Sequence, residues 1–184
     1  KNYFDKNIFS YNYNHISDSV RESELVIICT PVNKIIQTLT EIKPFLKKDA
    51  LVTDVGSVKS EICDNANKLL NDTGIEFIGS HPMAGSEKNG IENANENLFL
   101  NATCLLTPLK DSQKLNALQE LWGSIGMRTS VISPQKHDII TAQISHLPHI
   151  IATSLAKSLS NLEKNELEYS GNGLKDTIRI SGGD

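Results

Sequence analysis

Two unbroken apolar runs, ELVIICTP (24–31) and ALVTDVGS (50–57), constrain this chain most. Runs of β-branched and aliphatic residues with no polar alternation belong to strands covered on both faces, as in parallel sheets. Between them VNKIIQTLTEIKPFLKK sets Ile35, Ile36, Leu39, Ile42 and Leu46 on one helical stripe. Strand, helix and strand in that order make a β-α-β unit. VKSEICDNANKLLND (58–72) repeats the helical pattern through Val58, Ile62, Ala66 and Leu69, and EFIGS (76–80) reads as the strand after it. ATCLLTP (102–108) and RTSVISP (128–134) are further strands. They flank an amphipathic helix, SQKLNALQELWGSIG (112–126), with Leu115, Leu118, Leu121 and Trp122 inward and Gly126 just past its end.

From Pro134 onward the strand signal stops. PQKHDIITAQISHLPHIIATSLAKSLSN reads as one long helix with proline at its start and an interruption at Pro148. The expected architecture is therefore α/β: a mostly parallel sheet domain over 1–133, followed by the start of an all-α domain over 134–184. A formal net charge of −4 leaves no basic footprint for nucleic acid. No apolar run approaches the ~20 residues of a membrane helix. Three scattered cysteines, Cys29, Cys63 and Cys104, argue against a disulfide framework and for a reducing, cytoplasmic setting. The chain opens on Lys1 and stops within TIRISGGD, so it is expected to be a piece of a longer protein.

In an open parallel sheet, ligands bind beyond the carboxyl ends of the strands. Three polar stretches fall there: CTPV (29–32), DVGSVK (54–59) and SHPMAGSE (80–87). Each has a plain alternative, as a strand stop, a turn with a helix cap, or a structural strand-end histidine. The helical part adds His137, His146 and His149, the last two sharing a face at a spacing of three. Zinc is a weak reading, because no cysteine or carboxylate stands at accompanying ligand spacing. In SGNGLKDTIRI (170–180), Arg179 sits between Ile178 and Ile180, a setting in which a guanidinium normally has a carboxylate partner, from the protein or from a substrate. No G-x-G-x-x-G fingerprint occurs anywhere in the chain.

ELVIICTPV, ALVTDVGSVKSEI, FIGSHPMAGSEKNGIENANENLF, HDIITAQISHLPHIIA and SGNGLKDTIRIS, in that order, resemble the successive signatures of the prephenate/arogenate dehydrogenase family of tyrosine biosynthesis. The resemblance implies a Rossmann-type domain followed by a helical domain that forms a homodimer. It implies oxidative decarboxylation of a small molecule, prephenate, arogenate or both as in a dual-specificity cyclohexadienyl dehydrogenase, with hydride transfer to NAD or NADP, NAD being favoured. It makes His81 the catalytic acceptor of a hydrogen bond from the substrate ring hydroxyl, and Ser57 the serine that positions this histidine near the nicotinamide. Arg179 matches the arginine that binds the substrate carboxylate; His146 and His149 match pocket-lining histidines, with His137 beside them. Glu87 matches a polar residue at the pocket mouth. Cys29, Thr30, Pro31, Val55, Gly56 and Ser57 would contact the cofactor. Where relatives carry arginine in the last motif this chain has Lys175, which keeps the charge and loses the two-point fork. Histidine donors suit the keto acid prephenate better than the ammonium of arogenate. A β-hydroxyacid dehydrogenase and a non-catalytic ligand-binding fragment stay open beside this reading.

Overall fold

The computed structural model describes residues 15–85 and 93–182. After a short helix α1 (Ile16–Val20), strand β1 (Leu25–Ile28) pairs in parallel with β2 (Leu51–Asp54), in register from Leu25 opposite Leu51 to Ile28 opposite Asp54. A parallel strand β3 (Glu76–Phe77) completes the first sheet in the order β1-β2-β3. Helices α2 (Ile35–Ile42) and α3 (Ser60–Leu70) make the crossovers. Their stripes behave as the spacing predicts: Ile35, Leu39, Ile42, Ile62 and Ala66 are all buried in one cluster with Val52 and Phe77.

EFIGS does not stay one strand. It breaks at Ile78, and the chain re-enters a second sheet as β4 (Gly79–Pro82). Strand β4 pairs antiparallel with β5 (Thr103–Thr107), which pairs parallel with β6 (Arg128–Val131). Among the described strands this antiparallel pair is the exception in an otherwise parallel arrangement. Helix α4 (Lys114–Ser124) covers the second sheet, with Leu118 and Trp122 packed on Ile78, Cys104 and Leu106. Gly126, at φ +89°, ends it.

Strand β1 is less enclosed than its unbroken apolar run implies. Ile27 is 38% exposed and opens onto a cavity of about 430 Å³ at the same edge as Cys29, Val55 and Pro82.

From Pro134 the described structure is helical. Ser133 caps α5 (Pro134–Thr141) by accepting the Lys136 amide hydrogen at 3.3 Å. A wide π turn, Ala142–His146, follows, and then α6 (Leu147–Ser158). The break falls just ahead of Pro148 rather than at it. Proline has no amide hydrogen to give the preceding turn, so it sits at the second position of a new helix and the chain widens before it. Two short helices, α7 (Lys164–Leu167) and α8 (Asn172–Ile178), and a closing 3₁₀ turn, Arg179–Gly182, complete the described chain.

Gly79 starts β4 where three elements converge. A Cβ there would lie 2.5 Å from Thr107 Oγ1, 2.8 Å from Lys59 Cδ and 2.9 Å from Cys63 Sγ, all fully buried neighbours. Gly79→Ala is therefore expected to destabilise the fold by at least the ~1–3 kcal/mol typical of overpacking, read as a lower urea midpoint at unchanged slope.

Candidate active site

Strand β4 carries His81 at its third position, opposite Leu105 of β5. The imidazole is half-buried. Its Nδ1 lies 2.8 Å from Nε2 of His137, with ring centroids 5.0 Å apart and planes tilted by 57°. His137 is fully buried in the first turns of α5, so it stands behind His81 rather than lining a pocket beside it. Its other nitrogen, Nδ1, lies 2.8 Å from Asp138 Oδ1. Asp138 also accepts the backbone N–H of Lys59 at 2.8 Å on Oδ1 and that of Ser60 at 2.9 Å on Oδ2. One carboxylate thus ties α5 to the start of α3 and holds a histidine that holds His81.

A second polar group lies under this chain. Lys59, fully buried, extends its ammonium to Asp54 Oδ2 at the end of β2, and the Gly56 amide donates to the same oxygen at 2.9 Å. Asp54 Oδ1 is buried without a partner among the described residues. Next to the pair, Ser80 Oγ shares a 2.7 Å hydrogen bond with Thr53 Oγ1 and accepts the Trp122 indole N–H at 3.2 Å.

Burial pushes the His81 imidazolium down to about 4, with the neighbouring His137, Lys59 and His146 adding to the fall and Asp138 opposing it. His137 is also lowered, by burial first, against the pull of Asp138. Burial alone would raise the Asp138 carboxyl, yet the donors from Ser60, His137 and Lys59 bring it below the ordinary carboxylate value. Burial raises Asp54, and the Lys59 ammonium only partly offsets this. His81 is consequently a neutral base throughout the physiological range.

The remaining expected residues spread along the same edge and beyond it. Cys29 and Pro31 are exposed at the end of β1, and Thr30 Oγ1 is buried with no partner among the described residues. Val55 lines the 430 Å³ cavity with Cys29 and Pro82. A Cβ at Gly56 would lie 2.9 Å from both Asp54 Oδ2 and Ile35 Cδ1, so glycine is needed there for interior packing. Ser57 is half-buried and makes no side-chain hydrogen bond to a described residue; the inner nitrogen of His81 is bonded to His137 instead. His146 closes the π turn, near enough to His81 to weaken its hold on a proton, and His149 is half-buried one turn on. Arg179 is exposed in the closing 3₁₀ turn, and its guanidinium pairs with no described residue. Lys175 is exposed on α8. Glu87 lies outside the described residues.

Two family models divide the chain between them. Residues 6–131 match "Prephenate dehydrogenase, nucleotide-binding domain", and residues 133–184 match "Prephenate dehydrogenase, dimerization domain". The chain belongs to the prephenate dehydrogenase family. It is 37% identical over 168 residues to a prephenate dehydrogenase of Lactococcus lactis subsp. cremoris, covering 89% of this chain and 46% of that one. The crystal structure of prephenate dehydrogenase from A. aeolicus with hydroxyphenyl propionate and NAD+ superposes with a TM-score of 0.84 at 32% identity, over 97% of this chain and 63% of that one. Synechocystis arogenate dehydrogenase gives 0.75 at 34% identity, over 91% and 62%. The chain spans about half the length of the curated relatives it matches.

As a nucleotide-binding domain of this family, the described edge fits one end of a nicotinamide dinucleotide. An apolar cavity lined by Ile27, Val55, Pro82 and Phe99 suits a flat ring. The diphosphate end calls for a glycine-rich turn, and the sequence has none in the required register.

Asp54, Lys59 and Asp138 escape sequence reasoning as site residues. Asp54 and Lys59 belong to the same polar loop as Ser57, and a lysine in a short loop between β2 and α3 is ordinarily solvated. Asp138 adjoins His137, but only the tertiary fold brings it to the amides of α3.

The lowered histidines have a signed consequence for stability. Unfolded, their imidazoles titrate near 6.5; folded, His81 resists protonation down to about 4. The stability this difference contributes is complete above about 6.5 and is lost as pH falls toward about 4. A histidine-selective NMR titration should show the His81 resonances unmoved at pH 6 and titrating only below pH 5, with the unfolding temperature dropping over the same window.

Proposed function

We propose that the protein carrying this chain converts prephenate to 4-hydroxyphenylpyruvate by oxidative decarboxylation, with hydride transfer to NAD or NADP. The observation that supports it most is His81, a neutral imidazole at the end of β4 whose Nε2 makes no hydrogen bond to a described residue while Nδ1 is held inside the protein. The bound nicotinamide supplies the hydride acceptor. The chain supplies the base. As hydride leaves the ring carbon that bears the hydroxyl, that carbon becomes carbonyl-like and its proton acidic, so an uncharged acceptor near it lowers the barrier. The ring carboxylate then departs as CO₂ and the ring becomes aromatic. In this reading Arg179 binds a substrate carboxylate, His146 and His149 line the pocket, and Ser57 lies by the nicotinamide.

The same reading divides the chain into a sheet domain over 1–133 and a helical domain over 134–184 that pairs with a second copy in a homodimer. Ile139, Ile144, Ile150 and Ile151 of the helical segment are each more than half exposed, an apolar surface of the kind a dimer covers. No helix among the described residues is long and apolar enough to cross a membrane; we place the protein in the cytoplasm.

Arogenate is the second reading, favoured by the likeness to the Synechocystis arogenate dehydrogenase. A lysine-dependent β-hydroxyacid oxidation fits less well, because Lys136 and Lys157 of the helical segment are exposed. Initial rates of NADH formation by the full-length protein with prephenate, arogenate and a β-hydroxyacid decide among them. The highest kcat/KM is expected with prephenate, and a higher value with either of the others overturns the assignment.

The two main roles separate kinetically. His81→Asn is expected to lower kcat by about 10²–10⁴ with KM little changed, the usual worth of a general base. Arg179→Ala is expected to act chiefly by raising KM. Interchanged phenotypes would mean that the roles are wrongly assigned.

A further inference from the structure

Each hydrogen bond behind His81 fixes the direction of the next. Asp138, as a carboxylate, only accepts, and three N–H groups point at it: Lys59 and Ser60 backbone amides and the His137 ring. The hydrogen of His137 therefore sits on Nδ1. A neutral imidazole carries one hydrogen, so Nε2 of His137 is bare and can only accept. Its partner 2.8 Å away, Nδ1 of His81, must then donate. The single hydrogen of His81 is on Nδ1, and its Nε2 is left with a free lone pair.

We infer that His137 and Asp138 are positioning residues that lock His81 in the tautomer able to accept the substrate proton, and that His137 takes up that proton's charge while the reaction proceeds. The locking follows from geometry alone; the proton uptake rests on the function proposed above. The ring hydroxyl proton passes to His81 Nε2 as the ring carbon gives its hydride to the nicotinamide, and the O–H electron pair stays on oxygen as a ring ketone forms. The Nδ1 proton of His81 passes to His137 Nε2, so the positive charge moves to the imidazole paired with Asp138. When the carboxylate leaves as CO₂, its bond pair enters the ring and gives a phenolate. The two protons then shift back, and the phenol hydroxyl is restored. No net proton is consumed, which agrees with a product that keeps its hydroxyl.

The charged groups around His81 explain why a second histidine is useful. His137 and Asp138 face it from α5, Lys59 from the loop before α3, and His146 from the π turn. Only Asp138 favours an imidazolium among them, and it is bonded to His137. Both imidazoles meet burial and the Lys59 ammonium, but only a proton passed to His137 lies on a ring bonded directly to a carboxylate. Tautomer control by a buried acid has a measured precedent in serine proteases, where amidating the acid leaves the geometry intact and costs about 10⁴ in kcat.

The test begins with ¹⁵N-histidine NMR on the unmodified protein at pH 7, with His81 assigned by its loss in His81→Asn. His81 is expected as the Nδ1–H form, against the Nε2–H preference of free histidine, and His137 also as Nδ1–H. In His137→Phe, which keeps the ring and removes the acceptor, His81 should revert to Nε2–H. With full-length enzyme, prephenate and NAD+, the same variant should lose about 10²-fold or more in kcat at nearly constant KM. Its acid limb in kcat/KM should move as well. Asp138→Ala should behave alike. An Nε2–H form of His81 in the unmodified protein overturns the locking whether or not any variant folds. Undiminished kcat in a folded His137→Phe overturns the proton uptake. Absence of turnover with prephenate and arogenate in the unmodified enzyme would defeat the functional reading instead, leaving the tautomer result to stand or fall separately.

Discussion

The Asp138 carboxylate is the contact on which the site depends. It simultaneously receives the first amides of α3 and the ring of His137. The start of a helix is a place where backbone N–H groups lack partners and where negative charge is favoured. By placing its carboxylate there, α5 gains an anchor on the sheet domain, α3 gains a partner for its first amides, and the acid is kept ionised. Everything the histidine pair does follows from that ionised state. A neutral acid at 138 could present an O–H to His137, and the direction of each hydrogen bond behind His81 would no longer be fixed.

Lys59 and Asp54 play a complementary part. A fully buried ion pair is a costly thing to build, because both charges give up water. Here it lies within a loop whose neighbours, Gly56 and Gly79, have no room for a Cβ, so the pair is wedged between β2 and β4. Its ammonium helps to keep the His81 base uncharged, while its stem fills the space over Gly79. Stability and chemistry thus draw on the same side chain, and the loop that carries it cannot drift without disturbing both.

Much of the sheet domain was legible from the sequence because its signals are local. The stripe of Ile35, Leu39 and Ile42 and the runs at 24–31 and 50–57 state their own periodicity, and the structure places helix and strands there. The break at Ile78 was not legible, since EFIGS is continuous in character and only pairing partners decide that it serves two sheets. Of the site, His81 stood out because a histidine at a strand end is locally odd. Asp138 and Lys59 did not, because a charged residue beside a histidine, or in a loop, is ordinary until the fold shows that it is enclosed. His137 was singled out but expected at a pocket wall; the burial of α5 against the sheet puts it behind His81 instead.

The proposed chemistry rests on one lone pair, that of His81 Nε2, and on the ring oxygen whose proton it would accept. A crystal structure of the full-length enzyme with NAD+ and a ring-hydroxylated product analogue measures this directly. The analogue's hydroxyl oxygen is expected within hydrogen-bond reach, about 2.6–3.2 Å, of Nε2, with Nδ1 still on His137. A ring bound elsewhere, or His81 turned away from His137 once the ligand is in place, would contradict it.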